Sequence, residues 1–270
     1  MELIPQNHAV MQLTGIARAA GDVIMPYFKH NLGIQNKSDG SPVTLADKEA
    51  ENFIIKELSS RWAGVPAIGE ESSYNTDNYA NPFDKYWLID PLDGTREFIN
   101  DRDEFTVNIA LIENGYPTMG VVYAPAKDLM YFGDRSLGSY KITPQGKLVK
   151  LPESNQDDRP ITVTISRSHP TQGQEEAFLN ELQKTMPVKV IKMGSSLKFC
   201  VIAEGNADLY FRAGTTMFWD SAAGHIVAKG AGALVTEWGV NKELTYDSGR
   251  GLVNPSFMVL HPKWAKLLLK

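Results

Sequence analysis

The chain has 270 residues, with 27 Lys+Arg against 32 Asp+Glu and a formal net charge of −5 at pH 7. Its composition, 43% apolar and 22% charged, is that of an ordinary globular protein able to bury a sizeable core unaided. The mild acidity argues against a dedicated binder of nucleic-acid polymers. Cys200, the single cysteine, excludes an intramolecular disulfide and reads as a small buried hydrophobe rather than a nucleophile. No stretch approaches the roughly 18 apolar residues of a membrane span. Residues 1–8 lack the basic-then-apolar pattern of a signal peptide, so a cytoplasmic protein is expected.

The first predicted element is a helix over residues 8–28, with Val10, Leu13, Ala17, Ala20, Ile24 and Phe28 recurring at spacings of three and four. A second helix follows Thr44-Leu45-Ala46-Asp47 and carries Ala50, Phe53, Ile54, Leu58 and Trp62. Thr44 and Asp47 have the form of a capping box with Asp in place of Glu. The period then changes. Apolar runs at 65–68, 86–89, 105–112, 120–123 and 129–132 predict strands, and Asn114-Gly115 predicts a hairpin. The polar stretch 151–160, with two prolines, is the expected boundary between a half spanning 1–155 and one spanning 156–270. Beyond it, strands at 161–165, 188–191, 207–211 and 233–236 alternate with helices at 174–186, 195–204 and 220–229. The pattern predicts an antiparallel α+β half beside an α/β half, with no internal repeat or low-complexity tract. Residues 263–270 are basic and apolar; a docked helix or strand suits so short a segment, and a membrane-surface role is the other reading.

The densest chemical signal is Asp90-Pro91-Leu92-Asp93-Gly94-Thr95. An apolar strand is expected to end at Asp90, where Pro91 stops it, and a helical turn to begin near Gly94-Thr95. Two carboxylates would then leave the strand end together, which their repulsion permits only with cations between them or protons on them. Hard oxygen ligands suit magnesium, which shares its shell between carboxylates, water and substrate phosphate. Gly94 allows close backbone approach, and free N–H groups at a helix start attract anions. Taken alone, the pair reads as ordinary Asp caps. Two further acids at element ends change that reading: Gly69-Glu70-Glu71-Ser72 after a short strand, and Asp220 in Trp219-Asp220-Ser221-Ala222-Ala223-Gly224, locally an N-cap. Local reasoning does not choose between Glu70 and Glu71.

These three motifs resemble the signatures of the inositol-monophosphatase superfamily of Mg-dependent, lithium-sensitive phosphatases. The six-residue Asp-Pro-Leu-Asp-Gly-Thr match alone arises by chance in roughly one chain in 10⁴ or fewer. Within the superfamily the chain is most similar to the CysQ branch of 3'(2'),5'-bisphosphate nucleotidases. That likeness rests on residues 37–47, on Ser166-Arg167-Ser168-His169 and on Gly194-Ser195-Ser196-Leu197-Lys198-Phe199-Cys200. The resemblance implies a layered αβαβα sandwich and two or three Mg2+ per site. Glu70, Asp90 and the Leu92 carbonyl would hold one ion, and Asp90, Asp93 and Asp220 another. Backbone from Leu92 through Asp93 and Gly94 to Thr95 would hold the scissile phosphate. Thr95 and Asp47 would orient and deprotonate the attacking water, with Glu70 beside it. The chemistry agrees: uncatalysed phosphomonoester hydrolysis is extremely slow, and two closely spaced cations supply nucleophile activation and charge stabilisation. No Ser, Cys or His nucleophile is required.

Substrate selection is less sharply written. Ser195 and Ser196 could bind a second phosphate with Lys198 as counter-charge, against readings of Ser195 as an N-cap and Lys198 as a solvated surface residue. His169 could contact a nucleotide; Arg167 and Arg212 are lesser candidates, and Phe218 and Trp219 read as packing. The branch places adenosine, its non-scissile phosphate and Asp220 in this region. The implied partner is thus a small bisphosphorylated nucleotide, 3'-phosphoadenosine 5'-phosphate (PAP), with no nucleic-acid polymer. An inositol or sugar phosphatase is the enzymatic alternative and a nucleotide-binding sensor the non-enzymatic one, although every expected ligand position carries an oxygen donor. CysQ-like proteins have been linked to the inner membrane, so the resemblance adds a peripheral location there to the cytoplasmic one. Oligomeric state is not legible.

Overall fold

Two amphipathic stripes become helices α1 (His8–Ile24), which runs into a 3-10 turn at Met25–Tyr27, and α2 (Leu45–Arg61). This computed structural model describes residues 8–30, 35–36, 42–72, 83–153, 159–168 and 173–268. His169, residues 37–41 of the first branch motif, 154–158 of the expected boundary, and 269–270 lie outside the described residues. Between α1 and α2, β1 (Gln35–Asn36) and β2 (Pro42–Val43) form a short antiparallel pair. The Thr44–Asp47 capping box is formed: Asp47 Oδ2 accepts from the Thr44 N–H at 2.7 Å and its hydroxyl at 2.6 Å.

The first sheet has seven strands in chain order: β3 (Ala67–Gly69), β4 (Lys85–Asp93), β5 (Thr106–Glu113), β6 (Tyr116–Ala124), β7 (Leu129–Asp134), β8 (Gly138–Ile142) and β9 (Leu148–Lys150). All neighbours are antiparallel except the β3–β4 pair. Asn114 and Gly115 turn the β5–β6 hairpin with φ of 51° and 77°, as a two-residue turn with primed geometry requires. The central strands are apolar runs rather than alternations because both faces are covered. On β4, Trp87 and Ile89 point into one core with Ile54 and Leu58, while Tyr86 and Leu88 point into another with Val122 and Ala222. Strands β8 and β9, short and half-exposed, gave no such signal and were not anticipated.

The second sheet has spatial order β11-β10-β12-β14-β13, from β10 (Ile161–Ser166), β11 (Val188–Met193), β12 (Leu209–Arg212), β13 (Leu234–Glu237) and β14 (Phe257–Leu260). It is parallel where helices cross over (β10–β11, β10–β12) and antiparallel where β14, also unanticipated, pairs with β12 and β13. The helices are α3 (Thr95–Ile99), α4 (Gln174–Thr185), α5 (Leu197–Ala203), α6 (Phe218–Gly230) and α7 (Ala265–Leu268). α1 and α2 cover one face of the first sheet. α5 and α6 lie between the sheets, where Phe199, Ala222 and Ala223 join Ala110 and Val122 to Tyr210 and Val259. On the far side Leu182 of α4 packs on Ile161 and Leu209, with Trp264 and Leu268 against them. This is the expected αβαβα sandwich. Each fully buried aliphatic or aromatic side chain contributes about 1.5–3 kcal/mol. In the described part of the C-terminal segment Trp264, Ala265 and Leu268 pack against the cluster of Ile161, Leu182 and Leu209, and no helix among the described residues is long and apolar enough to cross a membrane.

Candidate active site

The expected stop at Pro91 does not occur; β4 continues to Asp93. Proline is tolerated because the ladder to β5 breaks there: Asp90 pairs with Asn108 and Asp93 with Thr106, leaving an irregularity between them. The bulge re-aims the chain, so that Asp90 and Asp93 reach the same cavity. It is closed by local bonds. The Leu92 N–H donates to Asp90 Oδ1 at 3.0 Å, and the Thr95 hydroxyl lies 3.2 Å from the Leu92 carbonyl oxygen. Gly94 follows with φ 92°, and a Cβ there would sit 3.0 Å from the Glu104 carbonyl oxygen, so glycine is needed for both reasons. The helical turn at Thr95 is α3.

Glu70 is brought alongside by the parallel β3–β4 pair, its N–H donating to the Ile89 carbonyl at 3.0 Å. Asp220 arrives from the other sheet's side on α6. It is the third residue of that helix, not the cap: the helix begins at Phe218, and Asp220 Oδ2 accepts from the Met217 N–H at 2.7 Å. Ser196 joins the two halves. Its hydroxyl lies 2.8 Å from Asp93 Oδ2 and 2.9 Å from the Asp220 carbonyl oxygen, and it accepts from Asn108 Nδ2 at 2.9 Å. Asn108 also reaches Asp93 Oδ2 at 3.3 Å. One oxygen of Asp93 and one of Asp220 are thus held; among the described residues no protein donor meets the other oxygen of either. Burial, with the Asp93 and Glu70 carboxylates nearby, pushes the Asp220 carboxyl well above the ordinary range.

Asp47 stands behind Thr95, whose hydroxyl is 3.4 Å from Asp47 Oδ1. Burial raises the Asp47 carboxyl from 3.8 to about 7; the Thr44 donors oppose this, and the Glu71 and Glu70 charges add to it.

A cavity of about 570 Å³ collects Glu70, Asp90, Leu92, Asp93, Gly94, Thr95 and Asp220 on its wall, with Lys198, Tyr210 and Arg212. That volume lies within the usual range for ligand sites. Among the described residues no three acidic or imidazole groups approach closely enough to make a ready coordination cage. Magnesium completes its shell with water and substrate phosphate oxygen, so the carboxylates need not form a closed cage among themselves. The donor set is all oxygen, with a half-held carboxylate at Asp93 and at Asp220, and it fits a hard divalent cation.

Other expected residues divide. Lys198 is buried, not solvated: its Nζ donates to the Ser195 carbonyl at 2.5 Å and lies 5.3 Å from the Tyr210 ring centroid. Burial lowers its ammonium below the ordinary lysine value, and Asp93 is the foremost of the charges opposing that. Ser195 is not the cap of α5; Ser196 holds that place, and Ser195 has φ 49°. Ser196 faces Asp93 rather than the cavity. Arg212 lines the cavity, with Nη1 3.3 Å from Glu175 Oε1. Arg167 is engaged elsewhere, donating to both Glu104 oxygens at 2.7 and 2.9 Å and to the Lys192 carbonyl. Phe218 is core; Trp219 is both core and cavity wall. Asn108, Tyr210 and Thr216 were not anticipated. Asn108, a lone amide inside the apolar run 105–112, was the available signal.

Residues 6–270 match the inositol monophosphatase family, and the chain belongs to it. Its members are magnesium-dependent phosphatases, a class this fold and carboxylate-lined cavity suit. Among curated relatives, the 3'(2'),5'-bisphosphate nucleotidase CysQ of Escherichia coli strain K12 is 43% identical over 251 residues, 92% of this chain and 98% of that protein. The Buchnera aphidicola protein of the same name is 42% identical over 247 residues, covering 90% and 89%. The crystal structure of CysQ from Bacteroides thetaiotaomicron, 34% identical, superposes with a TM-score of 0.83 over 95% of this chain and 98% of that one.

Proposed function

We propose that the protein is a 3'(2'),5'-bisphosphate nucleotidase that hydrolyses PAP to AMP and phosphate in the cytoplasm. The observation that carries this reading is a single cavity with two kinds of wall. Glu70, Asp90, Asp93, Asp220 and the Leu92 carbonyl supply hard oxygen donors, while the buried Lys198 and the partly buried Arg212 supply positive charge for a second phosphate. Burial disfavours the charged form of Lys198, and a second phosphate beside it would favour that form. The curated relatives' names support the same substrate class.

In this reading Glu70, Asp90 and the Leu92 carbonyl would hold one magnesium ion, and Asp90, Asp93 and Asp220 would hold a second. Magnesium would supply charge neutralisation on the transferring phosphoryl group and a lowered pKa for the attacking water. Backbone N–H groups around Asp93, Gly94 and Thr95 orient the scissile phosphate. The Thr95 hydroxyl orients the water and passes its proton towards Asp47, with Glu70 beside them. Lys198, Ser195 and Arg212 hold the non-scissile phosphate, and Ser196 steadies Asp93. Residues 1–155 thus carry most of the metal ligands, and 156–270 carry Asp220 and substrate selection. Phosphate release from PAP and from inositol 1-phosphate, each with and without Mg2+, tests the assignment. Strong Mg2+-dependent preference for PAP is expected; preference for inositol phosphate, or tight PAP binding with no turnover, would overturn it.

A further inference from the structure

The apolar stripe of α2 does not end where its hydrophobic residues end. Leu58, Ile54 and Ala50 are buried on one face, and the same face continues through Glu51 and Asp47, 3% and 1% exposed. Asp47 is accounted for by its cap and by Thr95. Glu51, one helical turn further on, does not line the cavity.

Its carboxylate is spent on the turn that follows β3. Glu51 Oε2 accepts from the Glu71 N–H at 2.8 Å, and the Ser72 N–H and hydroxyl add donors. The fit is tight: a Cβ on Gly69 would lie 2.3 Å from both Cδ and Oε2 of Glu51. Gly69 does not have a left-handed φ, so glycine stands there to make room for the carboxylate, not to permit a turn. Glu70 lies between the two ends of this contact. Its backbone is fixed on one side by β4, through the bond to the Ile89 carbonyl, and on the other by Glu51.

We infer that Glu51 is a positioning residue that fixes the 69–72 turn, so that Glu70 presents its carboxylate to the metal site. A buried carboxyl group that holds the backbone just after a ligand, where β4 already holds the ligand's own N–H, sets where that ligand points, and outer partners of this kind typically govern metal affinity by about 10- to 100-fold. One helix face then braces both motif turns, Asp47 the turn at Thr95 and Glu51 the turn at Glu70.

This inference rests on the metal-site reading above, and the test separates the two. Mg2+ alone is titrated into the intact protein by calorimetry and by thermal shift, without substrate. Glu51→Ala is expected to raise the Mg2+ midpoint about 10-fold or more. Glu51→Gln, which keeps an acceptor oxygen, should stay within about threefold of wild type. Gly69→Ala, whose methyl group displaces the carboxylate, should weaken Mg2+ on its own and add little in the Glu51→Ala background. If Glu51→Ala does not fold, Gly69→Ala carries the test. A midpoint unchanged within twofold in Glu51→Ala, or in Gly69→Ala where that variant stands in, would overturn the role of Glu51 while leaving the metal site intact. Absence of any Mg2+ response in wild type would overturn the metal site, and this role with it.

Discussion

Asp47 offers the sharpest quantitative check, because its carboxyl is set against the fold that contains it. Burial raises it from 3.8 to about 7, a difference worth about 4 kcal/mol. The sign follows from proton counting. Between pH 4 and 7 the folded state holds a proton on Asp47 that the unfolded chain has released, so stability falls as pH rises through that window and levels off above it. Asp47→Asn removes this dependence but keeps an oxygen to accept from Thr44, whose N–H and hydroxyl lie 2.7 and 2.6 Å from Oδ2. The variant should gain stability relative to wild type by up to about 4 kcal/mol between pH 4 and 7, while losing most of its turnover. Urea unfolding at intervals from pH 4.5 to 8, with chelator present, gives the difference directly. Parallel pH profiles for the two proteins would refute the claim that burial dominates this carboxyl.

Lys198→Ala should lower kcat/KM for PAP roughly 10- to 150-fold, the value of a lost charged hydrogen bond, with a much smaller effect on a nucleoside monophosphate; equal losses would remove Lys198 from the selection of bisphosphates. Asp90→Asn should cut turnover at least about 100-fold with the melting temperature preserved, since Asn can still accept from the Leu92 N–H; calorimetry should find Mg2+ binding weakened, and full activity would disprove a ligand role for Asp90. Glu243 is held down to about 2, first by His225 and then by Lys229. Its stabilising contribution is therefore complete above about pH 4.5 and disappears as pH falls towards 2. Glu243→Gln should be less stable than wild type at pH 7 and indistinguishable near pH 2, as followed by denaturation midpoints.

The sequence announces long, strongly periodic elements and is quiet about those defined by their neighbours. α1 and α2 are legible because Leu13, Ala17 and Ile24, or Ile54 and Leu58, repeat on one face. Phe257–Leu260 is silent because four apolar residues without period become a strand only when β12 and β13 flank them. The motif acids are legible as a set, since Glu70, Asp93 and Asp220 sit at or next to element ends and Asp90 stands three residues before one. Their local setting is not. Pro91 was expected to end β4, but the bulge opposite Asn108 and Thr106 needs no N–H at that position. Asp220 has the residue type of a cap yet serves from the third helical position, because Phe218 and Trp219 are buried as part of α6. Lys198 looks like a surface residue until α5 is placed between two sheets. Glu51 carried a readable sign, a carboxylate on the apolar stripe of an otherwise regular helix.

The middle layer bears on when this protein becomes competent. Glu70, Asp90 and Asp93 stand on or just after strands of a sheet finished by Lys150, whereas Ser196 and Asp220 belong to the start of α5 and to α6, which lie between that sheet and the second. A ribosome-bound chain that has emerged up to the first sheet therefore carries three of the four acids with no wall opposite them. The pocket is complete only with α6 against the first sheet, a contact that closes a long chain loop. On the proposed metal site, hydrolysis reports on finished folding: a chain ending with the first sheet is expected to release no phosphate.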